Sequence, residues 1–315
     1  MENIYIFVKL INYIMNRIKA SFALFFIVCL NISYSNAQTH SNDINFDLEL
    51  NKGHYYLNTE INGIATKTMI ESGIPALLVS TDFYEQHKDI LKFKVKPSTS
   101  QMRLLNNTYN IKYTALAKLY INAALYDGPV FVLNDFNDVC IPIQYLKNPI
   151  DGSSIISIDL PSKKMIIRTK DEFSTNEGDY QAFPLRLKDE NGMPIVNTVL
   201  TMNISDTKAT MQGDFIVDLG NGSLLFLMKQ NKEVAKMIAD NHLELQEARD
   251  IQGRVVAEGL YTDKLVVCGA SFNDVSIGVT DKLKTIQEAG FLGLKFFIRQ
   301  TVFDFKNKKL YIRNK

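Results

Sequence analysis

The stretch Phe215-Ile216-Val217-Asp218-Leu219-Gly220 carries an apolar strand straight into an acidic residue, then one residue, then glycine. Thr68-Met69-Ile70-Glu71-Ser72-Gly73 repeats the pattern earlier in the chain, with Glu71 in the acidic position. Apolar strands usually end in turn residues that face water. A carboxylate at the tip of such a strand is costly to desolvate unless something pairs with it. A single copy would be an ordinary strand end, but two copies raise the question of what else recurs.

Working outward, the segment Asp159-Leu160-Pro161-Ser162-Lys163-Lys164-Met165-Ile166-Ile167-Arg168-Thr169-Lys170 lies on 304–315 at an offset of 145 (159 to 304), with Asp, Lys, Lys, Ile, Arg and Lys in register. Lys118-Leu119-Tyr120-Ile121 lies on Lys264-Leu265-Val266-Val267, and Glu71 lies on Asp218 at an offset of 147 (71 to 218). Three landmarks in one order imply an internal duplication. The halves are 38–170 and 182–315, joined by a polar link over 171–181.

Between the landmarks the pattern is that of short strands. Tyr55 to Ile61 alternates, Asn62-Gly63 turns, and Ala65 to Ile70 returns. Leu77 to Ser80 reads as a strand and Thr81 to Ile90 as a short helix. Met102 to Tyr113 reads as a hairpin turning at Asn106-Asn107, and a second hairpin is expected around Gln252-Gly253-Arg254. Leu116 to Ile121 and Val130 to Leu133 continue the strands.

The N-terminus is set apart from this pattern. Arg17 and Lys19 precede an apolar run from Ala20 to Leu30, and Ser35-Asn36-Ala37 supplies small residues for cleavage, the layout of a secretory signal peptide over 1–37. The competing reading, an uncleaved anchor, is disfavoured because the run is short for a span. A periplasmic or secreted location follows, with no membrane association beyond that segment. The whole chain has a formal net charge of +1, and no basic block argues for nucleic acid. Cys140 and Cys268 are the cysteines left after cleavage. They read as two buried thiols, with a bridge between them left open by spacing alone. His40, His54, His87 and His242 show no ligand spacing, and no zinc or serine-hydrolase motif occurs.

The second half, read as Asp218-Leu219-Gly220, a hairpin near 252–254, Gly290-Phe291-Leu292-Gly293-Leu294 and the closing segment from Phe303 to Ile312, resembles bacterial aspartyl proteases of the pepsin and retropepsin type. That resemblance spans nearly the whole exported chain as two lobes. It implies an all-β, bilobal acid-protease fold of two homologous barrel-like lobes with a cleft between them. It further implies a peptide or protein substrate and catalysis by Glu71 and Asp218 with no metal or cofactor. Two carboxyl groups a few ångströms apart cannot both ionise, so one keeps a proton and the other acts as base on a water. Gly73 and Gly220 let the loops pass where a Cβ would clash. The residue between acid and glycine, Ser72 or Leu219, is where the family places the hydroxyl that ties the loops together. Tyr109 is a candidate flap tyrosine over the cleft, with ordinary packing an equal reading.

Three departures qualify this. Glu71 is one methylene longer than the family's Asp, and catalytic groups tolerate only about 0.5 Å of misplacement. Leu219 has no hydroxyl. The first half lacks a clear apolar-apolar-Gly segment, for which Pro149-Ile150-Asp151-Gly152 is a shortened candidate. Two functions therefore stand side by side: a peptidase whose activity is weakened or lost, and a non-catalytic relative that binds an extended peptide or partner in its cleft.

Overall fold

The structure, a computed structural model, describes residues 42–314 except 105–106, 172, 174–178, 189–191, 250–251 and 253–254. The segment 1–37, the turn residue Asn106 and the turn residues Gly253 and Arg254 lie outside the described residues, as does much of the stretch read as a link. The end of that stretch is not a link, because Tyr180 and Gln181 already belong to the strand Tyr180–Leu187.

Strand alternation builds the walls. In His54–Ile61, Leu57, Thr59 and Ile61 are buried while Asn58 and Glu60 are exposed. Ile64, Thr68 and Ile70 are buried on the returning strand Ile64–Glu71. Asn62 and Gly63 connect the two with φ of 49° and 84°, the paired left-handed turn that suits a twisted two-residue hairpin.

Six strands of the first half pair in a ring: His54–Ile61, Ile64–Glu71, Cys140–Pro142, Leu77–Ser80, Ala124–Leu133 and Asn107–Ile121. The last returns to the first through Ile61 opposite Ile121. The second half repeats this order with Pro194–Ile204, Thr207–Val217, Gly290–Leu292, Leu225–Met228, Ala270–Thr280 and Val255–Val267. Its closure is longer, from Leu200 opposite Val267 to Asn203 opposite Lys264. Strands read as short from sequence, Leu116 to Ile121 and Val130 to Leu133, are the ends of the long strands Asn107–Ile121 and Ala124–Leu133.

A helix follows the same strand in each half. Helix α1 (Thr81–Leu91) starts at Ser80, whose hydroxyl accepts from Phe83 N at 3.0 Å. Helix α2 (Lys232–Asp240), absent from the sequence reading, starts at Asn231, whose side chain accepts from Glu233 N and Val234 N, and it buries Val234 and Met237.

The halves join through a shared sheet. Its order is Ile44–Asp47, Lys164–Arg168, Ile155–Asp159, Thr301–Asp304, Lys309–Arg313, Tyr180–Leu187, three strands from each half. Ile155 to Ile158 run antiparallel against Thr301 to Asp304 at the centre. The two closing hairpins turn alike: Asp159 Oδ1 accepts from Ser162 N and Asp304 Oδ1 from Asn307 N, with Lys163 and Lys308 at φ 54° and 56°. One apolar cluster contains residues of both halves, Tyr126, Phe215 and Phe303 among its fully buried members. The architecture is all-β and bilobal.

Candidate active site

Each acid emerges where a strand of its lobe ends beside a parallel neighbour. Ile64–Glu71 runs parallel to Cys140–Pro142, with Glu71 opposite Pro142. Thr207–Val217 runs parallel to Gly290–Leu292, and Asp218 N donates to Leu292 O at 2.8 Å. The equivalent of Phe291-Leu292-Gly293 in the first lobe is therefore Cys140-Ile141-Pro142. Pro149-Ile150-Asp151-Gly152, the candidate taken from sequence, instead forms a turn after that site. Proline in the glycine position hid the true segment.

Glu71 and Asp218 come together across the lobes, each carboxyl lying against the loop glycine of the other lobe. Neither Gly73 nor Gly220 has a positive φ. Their lack of a Cβ matters because each faces the other lobe's acid. A Cβ on Gly73 would lie 2.5 Å from Asp218 Cγ and Oδ1, and one on Gly220 would overlap the Glu71 carboxyl. The glycines are seats for the opposite carboxyl groups.

Burial and the neighbouring Asp218 charge hold the Glu71 carboxyl well above its ordinary value, although the N–H groups of Ser72 and Gly220 pull the other way. Burial also raises Asp218, offset by the N–H of Gly220, by the Glu71 side chain and by the N–H of Asn221. Both carboxyls therefore bind protons more tightly than free ones, and as a pair they cannot both ionise at little cost. Glu71 Oε2 is buried with no hydrogen-bond partner.

Ser72 ties the loops together. Its hydroxyl donates to Val217 O at 2.7 Å and accepts from Leu219 N at 2.9 Å. Leu219 is fully buried in the core and offers nothing in return. Tie and dyad together form one cross-lobe constellation, whose fold can be compared with known structures.

No protein-family model and no curated protein sequence matches the chain. Among solved structures, it is similar to the aspartic proteinase from Irpex lacteus at 13% identity and a TM-score of 0.52, over 86% of this chain and 97% of that one. Basic 7S globulin from soybean aligns over 87% and 95% at 9% identity and a TM-score of 0.48. The fold is that of the pepsin-like aspartic proteinases.

The pepsin-like scaffold also carries the hairpin of the first lobe, Gln101–Leu104 paired with Asn107–Ile121. Tyr109 lies on it and packs edge-on against Phe136 at 5.4 Å, over a cluster with Ile74, Leu78 and Cys140. Its hydroxyl accepts from Asn107 Nδ2 at 3.3 Å. The matching second-lobe pair is Gln246–Arg249 with Val255–Val267.

Several site residues escaped sequence reasoning. Asn221 places its N–H toward Asp218. Tyr56 and Cys140 both lie opposite Met69 and both sense the Glu71 charge. Burial, chiefly, pushes the Cys140 thiol well up and leaves it a neutral wall of the site. Cys140 and Cys268 are free thiols, both buried. Gln144 reaches the first loop through its side chain. No motif marks these positions; strand register alone brings them in. Among the described residues no group of three His, Cys, Asp or Glu side chains is arranged to hold a metal ion.

Proposed function

We propose that this chain is an exported aspartyl-type peptidase that hydrolyses a peptide bond with the Glu71/Asp218 pair in the inter-lobe cleft. The observation that carries the reading is the convergence of two buried carboxyl groups, one from each lobe, each seated against the loop glycine of the other. Asp218 is the base that takes a proton from a water as it attacks the peptide carbonyl, and Glu71 is the acid that stabilises the developing oxyanion. The substrate is an extended peptide or protein segment. Export, to the periplasm or beyond, follows from the Arg17/Lys19, Ala20 to Leu30 and Ser35-Asn36-Ala37 pattern.

A second reading, a non-catalytic cleft that binds a peptide, draws support from the one-sided tie at Ser72 and the unpartnered Glu71 Oε2. A peptide-library digest from pH 3 to 8, with and without a transition-state-type aspartic protease inhibitor, separates the two. Inhibitor-sensitive cleavage that disappears in Asp218→Asn supports the peptidase. Cleavage that survives Asp218→Asn places the active site elsewhere, and peptide binding without cleavage supports the second reading.

A further inference from the structure

The two acidic loops are clamped from behind by different chemistry. In the second lobe the clamp is backbone. Gly293 N donates to Leu224 O at 3.0 Å, Leu294 N to Asn221 O at 2.7 Å and Lys295 N to Ser223 O at 3.1 Å. This requires glycine at 293, where a Cβ would lie 2.5 Å from both Asn221 O and Ser223 O.

The first lobe has Pro142 at that place, since Pro142 lies opposite Glu71 in the same parallel pairing. Proline has no N–H, and its ring fixes φ. Pro142 sits at φ −74°, ψ 119°, against φ −99°, ψ −170° at Gly293, so the chain that follows leaves it in a different direction. Two residues on, Gln144 is buried, and its amide Nε2 donates to Ile74 O at 2.9 Å and reaches Ser72 O at 3.5 Å. Ile74 stands three residues after Glu71, as Asn221 stands three after Asp218. A side-chain amide in one lobe therefore serves the carbonyl that a backbone amide serves in the other. Lys295, which follows Gly293 as Gln144 follows Pro142, points its side chain to solvent.

We propose that Gln144 is a positioning residue for Glu71, holding the first acidic loop against Gly220 and Asp218 by serving Ile74 O in place of the backbone donor that Leu294 supplies in the second lobe. As a role in peptide hydrolysis this rests on the function proposed above, but the positioning itself can be read without catalysis. The Glu71 carboxyl is raised because it is buried and faces Asp218. A loop released from Ile74 O lets the carboxyl drift from both, and its proton affinity falls.

The test is carboxyl-carbon NMR titration of the full-length chain labelled at Glu side chains, with Glu71→Gln identifying the Glu71 signal. Gln144→Leu is expected to lower the Glu71 midpoint by about one pH unit or more. Adding Pro142→Gly to Gln144→Leu lets residue 142 take the backbone conformation of Gly293, in which the next N–H serves the loop carbonyl, and is expected to recover most of that shift. A purely structural packing role for Gln144 would not be rescued at a different residue. An unchanged Glu71 midpoint in Gln144→Leu, or no recovery in the double variant, overturns the proposal. Should Gln144→Leu unfold, Gln144→Met, unbranched and without the amide, is titrated under the same criteria. The two readings separate cleanly. A lowered and rescued midpoint in a protein that cleaves nothing keeps the positioning and removes the peptidase; an unchanged midpoint alongside Asp218-dependent cleavage does the reverse.

Discussion

At the scale of single residues, the pair is unequal, and the inequality has consequences for stability. Glu71 and Asp218 are both raised from their ordinary values of 4.5 and 3.8 by burial, Glu71 further by the Asp218 charge. The folded state therefore holds these protons more tightly than the unfolded chain. Their stabilisation is fully present below pH 3.8 to 4.5 and is lost as pH rises through the folded-state values, at up to about 1.4 kcal/mol per pH unit for each proton. Glu71→Gln removes one of the two raised carboxyls, so its urea midpoint should decline less between pH 4 and 8 than that of the wild type. Equal slopes in the two proteins would mean that Glu71 is not held protonated. The glycine seats give a second expectation. Gly220→Ala drives a methyl into the Glu71 carboxyl, and a misplacement of that order lowers cleavage about a hundredfold. Gly222→Ala, whose nearest neighbour is Gly53 O at 3.8 Å, serves as the control that leaves the pair in place. The acids and their glycines were legible in the sequence because an acid–x–glycine pattern, ordinary once at a strand end, recurs at the offset of the duplication. Gln144 and Asn221 were not, since each acts through an amide group that any loop contains.

At the scale of elements, the two loops depend on one hydroxyl. Ser72→Ala leaves Val217 O and Leu219 N buried without their partner, a loss of about 1–3 kcal/mol, whereas Ser72→Thr keeps the hydroxyl and should stay near wild-type stability. Chemical denaturation at pH 5 measures the difference, and a Ser72→Ala protein as stable as Ser72→Thr would remove the tie from the account. The elements themselves were read unevenly. The hairpin at Asn62-Gly63 and helix α1 carry local signals, a paired left-handed turn and a serine cap. Helix α2 is capped by Asn231 just as clearly, yet only Val234 and Met237 of its nine residues are buried, too few to declare a helical stripe. The segment Cys140–Pro142 was missed because proline stands where its counterpart has glycine, and only pairing with Met69 to Glu71 reveals it.

At the scale of the whole molecule, duplication sets two lobes face to face, and the same symmetry tests the departure at Glu71. The closing hairpins signalled the duplication, but their side-by-side pairing through Ile155–Asp159 and Thr301–Asp304 is a contact between distant segments that no local pattern encodes. Across the approximate twofold axis of that sheet, Asp218 shows how far an aspartate reaches: its carboxyl already lies against Gly73. An aspartate at 71 would by the same symmetry lie against Gly220. Glu71 overshoots that place by one methylene, presses further onto Gly220, and is left with Oε2 unpartnered. Glu71→Asp should therefore raise peptide cleavage above that of the wild type. It should also shift the acid limb of the kcat/KM profile down in pH, because a better-partnered carboxyl pair ionises more readily. Leu219 limits the gain, since of the two residues between acid and glycine Ser72 alone carries a hydroxyl. Adding Leu219→Thr supplies the reciprocal hydroxyl, at a core loss of about 1–3 kcal/mol for the buried leucine. The double variant is thus expected to cleave best and melt lowest. Turnover of one peptide substrate by the wild type, Glu71→Asp, Glu71→Asp/Leu219→Thr and Asp218→Asn between pH 3 and 8, with a melting curve for each, measures all of this. If Glu71→Asp cleaves less than the wild type, glutamate is the acid this cleft is shaped for, and the overshoot is a fit.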